Sequence, residues 1–415
     1  MKKHNILILL SLLVSGFSPV MAQVVTLDSV LARIDRANPM LKEYDQRAQA
    51  YEAYTGGAKS WMAPMVGAGT FMTPYPGQRL MEERDKGSVM ISMEQQIPNP
   101  AKQRANQNYL ASRAAVEGEA RAVRFNALRA EARTLYYQWL VATEKMKVLH
   151  ENEQTLELML KLARVRYPYN QGSLGNIYKT EGRLLEVQNM RLMTQGDIDE
   201  KTFRIKSLMA LPATTPLQID TTTEVTFRFS PLLSDTAAIG AQRSDVRQID
   251  KTIQVMQLNQ QLQRMQAKPD FKIRFDHMQP IGDMPTQFTA MAMISIPIAP
   301  WSSRMYKAEV KGMHHDIEAM RRQREALLIE TQGMLGGMVG PINNMQRQLT
   351  NYAEKIIPAL RKNYESVLLA YEENREQLPA VLDGWEALNM AQLEYLSKRE
   401  SYYIMIANYE KQVEE

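Results

Sequence analysis

The sequence predicts a mainly α-helical protein with a small β part, built as long helical hairpins and short strands, with the whole plan written twice. Three observations carry this expectation. From 101 to about 167 there is no proline and a single glycine, Gly118, while apolar residues keep heptad spacing. Three landmarks recur about 200 residues apart in one order. Short segments that alternate apolar and polar residues precede each long helical stretch.

The chain opens on a leader. Lys2 and Lys3 give a positive start, residues 6–14 an apolar core, and Val20-Met21-Ala22 a small-residue cleavage site. Residues 1–22 therefore read as a signal peptide, with Gln23 as the mature N-terminus. The apolar run is about ten residues, half of the ~20 that a spanning helix needs. No later segment offers an uncharged apolar stretch of that length. Residence in a membrane would then require a closed β-barrel, because only helices and closed barrels satisfy their own backbone in lipid. The chain has no cysteine, which excludes disulfides, thiolate metal sites and a lipid anchor on an N-terminal cysteine. Without the leader, 48 basic and 46 acidic residues leave a net charge of +2, a balance that gives no argument for nucleic acid.

The first repeat is expected over 23–220: a helix at 27–60, strands at about 62–72 and 87–97, a long helix at 101–167 and a return helix at 173–211. A linker follows at 221–240. The second repeat, 241–415, carries a helix at 243–267, strands at about 269–278 and 286–297, a long helix at 302–373 and a return helix at 378–413. The duplication rests on the landmarks. Ile97-Pro98-Asn99-Pro100 with Arg104 returns as Ile296-Pro297-Ile298-Ala299-Pro300 with Arg304. The break Tyr169-Asn170-Gln171-Gly172 corresponds to Tyr371-Glu372-Glu373-Asn374, and the helix start Asn38-Pro39 to Ser244-Asp245. The offsets are 199, 202 and 206 residues.

In the first long helix Leu128, Leu135, Ala142, Leu149, Leu156 and Ala163 stand seven apart, with Ala132, Trp139, Met146 and Leu160 at the complementary positions and Glu153 as the exception. Such spacing is a coiled-coil seam. In the second long helix Gly340-Pro341 and Pro358 are expected to bend the axis. Gly333, Gly336, Gly337 and Gly340 suggest a close helix–helix approach.

The strands alternate in a way that suits a barrel wall. In 271–276 Phe271, Ile273 and Phe275 alternate with Lys272, Arg274 and Asp276. In 288–296 Phe288, Ala290, Ala292, Ile294 and Ile296 share one face, and Thr289, Met291, Met293 and Ser295 the other. In the first repeat Val89, Ile91, Met93 and Ile97 share a face opposite Ser88, Met90, Ser92, Glu94 and Gln96. The glycine-rich strand at 65–72 is ambiguous in its facing. Four strands cannot close a barrel, for which about eight are the practical minimum, so several copies must contribute. The competing reading is a pair of β-hairpins on a soluble helical protein.

Over the whole mature chain this order of elements resembles the TolC-type outer-membrane efflux factor family. The residues that carry the resemblance are Asn38-Pro39, the turn 95–102 (QQIPNPAK), the tip from Arg166-Tyr167 to Gly172, and the stretch from Tyr371 to Val381-Leu382-Asp383. The turn is similar to a Q-x-I/F-P-x-P-G-K pattern of the heavy-metal branch, copper/silver or cobalt-zinc-cadmium, with Ala101 in place of the glycine. The resemblance implies a homotrimer whose twelve strands form a barrel in the outer membrane of a Gram-negative bacterium, continuous with a helical tunnel in the periplasm. It implies a passive, gated duct that exports small solutes, heavy-metal cations among them. The implied partners are a periplasmic adaptor, an inner-membrane proton-driven pump of the RND type, and outer-membrane lipid. It also implies a periplasmic gate near the tip turns Gly172 and Asn374. Of two family aspartates three residues apart, one matches Asp383 and the other falls on Ala380. Glu372, Glu373 and Glu376 lie nearby as alternative acids, and all these acids equally fit ordinary solvated helix ends.

The 28 methionines invite a soft-metal reading, since a thioether is a soft ligand. Most lie in helices, where methionine is flexible core filler. Met90, Met291 and Met293 are the sharper candidates, because the alternation puts them on the polar face of strands. Histidines His150, His277, His314 and His315 are scattered, and no H-E-x-x-H, P-loop or nucleophile elbow occurs. No catalytic set and no cofactor is expected. The alternative function is a soluble periplasmic coiled-coil adaptor or scaffold.

Overall fold

The computed structural model describes residues 23–169, 172–222, 225–230 and 235–414. The expected signal peptide 1–22 lies outside the described residues, as do Asn170 and Gln171 of the first tip and parts of the expected linker. The elements are β1 (Gln23–Val25), α1 (Leu27–Ala37), α2 (Pro39–Gly57), β2 (Met65–Phe71), β3 (Ser88–Ile97), α3 (Pro100–Arg166), α4 (Leu174–Leu208), β4 (Leu217–Ile219), α5 (Thr236–Gln242), α6 (Ser244–Arg264), β5 (Phe271–Pro280), β6 (Gln287–Ile294), α7 (Pro300–Asn351), α8 (Ile357–Glu372) and α9 (Leu378–Val413). Among the described residues no helix is long and apolar enough to cross a membrane. The chain divides into two compact units. One comprises the described residues of 23–42, 124–239 and 330–414; the other comprises 43–123 and 240–329.

The second unit holds a four-stranded sheet in the order β2-β3-β5-β6, antiparallel throughout. Each hairpin pairs its own strands, and β3 joins β5 across the repeats. Asn99 sets the exit from β3 into α3. Its amide donates to the Pro269 carbonyl at 2.8 Å, and its Oδ1 accepts from the Ala101 amide at 3.0 Å, so it caps the helix whose first residue is Pro100. Lys102 then pairs with Asp270 at 2.7 Å.

In the first unit the seam residues Leu149, Leu156, Leu160 and Ala163 of α3 form one core with Ile177 and Val187 of α4 and with Val381, Leu382 and Trp385 of α9. Burying each leucine contributes about 1.5–3 kcal/mol. In α7 Leu335, Ile342 and Leu349, seven apart, are buried in the same way. A short parallel pair, β1 with β4, ties the start of the described chain to residues 217–219. Segments of three residues show no period, so sequence reasoning missed it.

Several sequence expectations need correction. The helix at 27–60 is two helices separated at Asn38, whose ψ of 123° is extended. A residue before proline is driven out of the helical region by the ring that follows, and here that ring belongs to Pro39. The helix α5 begins inside the expected linker and runs past its end into the second repeat. The helix at 302–373 is instead α7, a π-helical turn over Tyr352–Ile356, and α8. Gly340-Pro341 lies inside α7 without ending it. The π turn sits just ahead of Pro358, where it accommodates a ring that would clash with the carbonyl four residues back. The glycine stripe makes no close approach within this chain: a Cβ built on Gly333, Gly336, Gly337 or Gly340 meets nothing within 4 Å.

Candidate functional site

Two places carry the expected functional residues: one face of the sheet, and the turns at the ends of the helical hairpins.

The register settles what each face of the sheet presents. Val66, Met93 and Phe275 align across β2, β3 and β5, as do Ala68, Ile91 and His277. Phe271 pairs with Ile294 and Ile273 with Ala292. The ambiguous strand β2 thus contributes Val66, Ala68 and Thr70 to the apolar face. The other face aligns Glu94 with Arg274 and Met291, and Gln96 with Lys272 and Met293. Its charges pair among themselves, Lys272 with Glu94 at 2.5 Å and Arg274 with Asp276 at 2.9 Å.

Burial is inverted relative to a soluble sheet. On the apolar face Val66 is 71% exposed, Phe288 69% and Ile294 56%. On the charged face Asp276 is only 5% exposed and its neighbours are half-buried. The pair Phe275–Phe288, stacked at 5.7 Å between centroids, lies on the open apolar face. An apolar sheet face left open in this way marks a surface that meets another apolar surface, whether protein or lipid.

The three candidate methionines share the charged face but not one position. Met291 is aligned with Arg274 and Met293 with Lys272, and neither has a thioether beside it across the β5–β6 pair. Met90 is aligned with Met278, a methionine that sequence reasoning did not single out. The signal that could have found it was the even parity it shares with Lys272 and Arg274 in β5.

At the hairpin ends the chain turns by local rules. Asn374 takes a left-handed conformation, φ 58°. Around it the Arg375 amide donates to the Ala370 carbonyl at 2.8 Å and the Asn374 amide to the Tyr371 carbonyl at 3.0 Å, a Schellman closure of α8. Gly172 precedes Ser173, whose hydroxyl accepts from the Asn176 amide at 3.3 Å and caps α4. A Cβ on Gly172 would meet nothing within 4 Å.

The tip acids do not form one cluster. Asp383 lies on α9, 3.4 Å from Lys179 of α4, and both are well exposed. Exposed pairs of this kind contribute about 0–1 kcal/mol. Glu373 pairs with Arg375 in the turn, and the Glu376 carboxylate accepts weakly from the Gln377 amide at 3.4 Å. Burial pushes the Tyr364 hydroxyl up to about 12, and the negative charges of Glu372 and Glu365 add to the shift.

Sequence reasoning missed the contacts that join the two hairpins. Arg166, at the end of α3, donates to the carbonyls of Tyr371 and Glu372 at 2.7 and 3.1 Å, and its guanidinium lies over the Tyr371 ring. Arg183 bridges Glu186 and Glu386 at 2.8 and 2.7 Å. Trp385 donates its indole N–H to Asn152 Oδ1 at 2.7 Å inside the core. Glu153, the exception in the heptad seam, is buried. Burial opposes its charge, but hydrogen bonds from Gln188 and Arg191, together with the Arg191 charge, outweigh that and hold the carboxyl below the usual range.

No family model matches the chain, and no curated protein matches it. Solved structures do. The chain is similar to the outer-membrane protein VceC of Vibrio cholerae, with 13% identity, a TM-score of 0.72, and coverage of 93% of this chain and 95% of that one. It is similar to the MtrE outer-membrane channel of Neisseria gonorrhoeae in its open state, with 12% identity, a TM-score of 0.73, and coverage of 93% and 88%. The CmeC outer-membrane channel of Campylobacter jejuni matches at 13% identity with a TM-score of 0.71, over 93% and 85%. At this identity the likeness establishes the fold: the chain has the architecture of these outer-membrane proteins.

Proposed function

We propose that this chain, built on the TolC-type outer-membrane channel fold, is the outer-membrane component of a tripartite efflux system: a passive, gated duct for small solutes. The observation that carries the reading is the inside-out sheet. Its apolar face is open while the charged residues of the opposite face are ion-paired and partly buried, which suits a wall with lipid outside and water inside. Four strands cannot close such a wall. Three copies supply twelve, so the working form is a homotrimer in the outer membrane of a Gram-negative bacterium, with the helical hairpins in the periplasm. Residues 1–22 act as the export signal, and the two repeats, 23–220 and 241–415, each contribute two strands and one hairpin.

Conduction through a duct needs no catalytic set, so the protein is not an enzyme. The energy comes from partners, a periplasmic adaptor and a proton-driven RND-type pump of the inner membrane. The periplasmic gate lies at the hairpin tips, at Gly172 and Asn374, with Glu372, Glu373, Glu376 and Asp383 setting its charge. Arg166 holds the ends of α3 and α8 together there, and opening requires that link to yield.

The test is fractionation. The protein is expected in the outer-membrane fraction, extracted only by detergent, at the mass of three protomers. Release from cells without detergent, as a monomer, would overturn the duct reading in favour of a soluble periplasmic coiled-coil scaffold.

A further inference from the structure

The strand and loop segments are rich in methionine. Residues 62–97 and 271–296 hold ten of the 28 methionines in the chain. The alignment Gly69–Met90–Met278–Gln287 runs across the charged face of the sheet near the hairpin-loop end. There a cavity of about 570 Å³ opens, and Met72, Met278 and Met284 line it together with Arg84, Asp85 and Gln287.

The cavity is a built feature of the two loops. The Ile281 amide donates to the Gly87 carbonyl at 2.9 Å, tying one loop to the other. Gly87 has φ 78°, and a Cβ there would stand 2.7 Å from the Thr73 Cα, so the first loop closes tightly on itself. Thr286 donates to Gln279 at 3.0 Å and closes the second. Met72 itself holds a left-handed φ of 52°, which a residue with a side chain rarely adopts. Arg84 is paired with Glu82 at 2.8 Å, and the Asp85 carboxylate accepts from the Met81 and Glu82 amides, so the lining carries no uncompensated positive charge.

We infer that Met72, Met278 and Met284 form a thioether site for a soft monovalent cation of the Ag⁺ or Cu⁺ class, with Met90 as a neighbouring fourth sulfur. Cross-strand neighbours hold their Cβ atoms about 4.5–5.5 Å apart, so the side chains of Met90 and Met278 are long enough to reach a common point. A soft cation selects thioethers over the water and carboxylates that satisfy hard ions, and it needs several sulfurs at once. Met291 and Met293 share a strand face but are each aligned with a cation of β5 and do not line this cavity.

The site concerns binding alone, so it is tested without transport and stands apart from the duct reading. The probe is Ag⁺, added to the purified full-length protein in detergent and measured by equilibrium dialysis. About one bound ion per protomer is expected. The triple substitution Met72→Leu, Met278→Leu, Met284→Leu should abolish binding, whereas Met291→Leu with Met293→Leu should leave it unchanged. If the triple variant does not fold, Met278→Leu decides alone: losing a ligand should weaken binding by at least the ~10-fold that loss of a supporting partner costs. Excess Ca²⁺, which takes oxygen ligands, should not displace the probe. Absence of stoichiometric Ag⁺ binding, displacement by Ca²⁺, or equal loss in both sets of variants would overturn the inference.

Discussion

Arg166 donates from Nη1 to the Tyr371 carbonyl at 2.7 Å while its guanidinium lies 4.2 Å from the centre of the Tyr371 ring. One side chain thereby caps the C-terminal end of α8, where carbonyls lack helical partners, and joins it to the end of α3. Arg166→Ala removes cap, ring contact and tether together. Faster amide exchange at 370–376 and a higher single-channel conductance of the reconstituted protein are expected. Arg166→Lys should recover little, because an ammonium cannot make the forked contact. Unchanged exchange and conductance in Arg166→Ala would remove this link from the gate.

Asn374 tests the turn itself. A left-handed conformation costs an ordinary residue about 1–2 kcal/mol, which glycine avoids and asparagine tolerates. Asn374→Gly is expected to be neutral or slightly stabilising. Asn374→Val should destabilise by about 1 kcal/mol or more, seen as a lower melting temperature. Equal melting of both variants would count against a required left-handed residue.

Glu153 should make stability depend on pH. Its carboxyl is held below the usual range in the folded protein, so the unfolded chain takes up the proton first as pH falls. Its contribution is fully present above the unfolded value and is lost as pH drops through the folded one. The melting difference between wild type and Glu153→Gln should be largest at neutral pH and shrink in acid below the usual carboxylate range. A difference that grows on acidification would contradict the assignment.

The apolar face of the sheet gives a direct test of its surroundings. Ile273→Arg puts a charge on that face, which in a barrel midplane costs about 2–4 kcal/mol. Lys272→Ser, on the opposite face, should leave assembly intact. The measurement is the yield of folded oligomer in lipid, and equal yields for both would mean that the face does not meet lipid.

Trp385 and Asn152 form a buried pair 233 residues apart in sequence. Asn152→Leu leaves the indole N–H without its partner, at a cost of about 1–3 kcal/mol. A fall in melting temperature is expected, and its absence would imply that another group or a water takes the proton.

The sequence by itself determined what periodicity can carry. Heptad spacing located α3, alternation located β3, β5 and β6, and the recurrence of the Ile97-Pro98-Asn99-Pro100 turn marked the duplication. These patterns repeat over a few residues, so they are legible without knowing what they touch. Only the tertiary structure decided the rest, because it depends on residues brought together from far apart. Register assigned β2 its apolar face and set Met90 beside Met278, and the loops brought Met72 and Met284 to the cavity that Met278 also lines. Packing paired the buried Glu153 with Arg191 and placed Arg166 on Tyr371. It also left the glycines of α7 open where their spacing suggested contact, since spacing names a helix face and only a partner surface decides whether that face is covered.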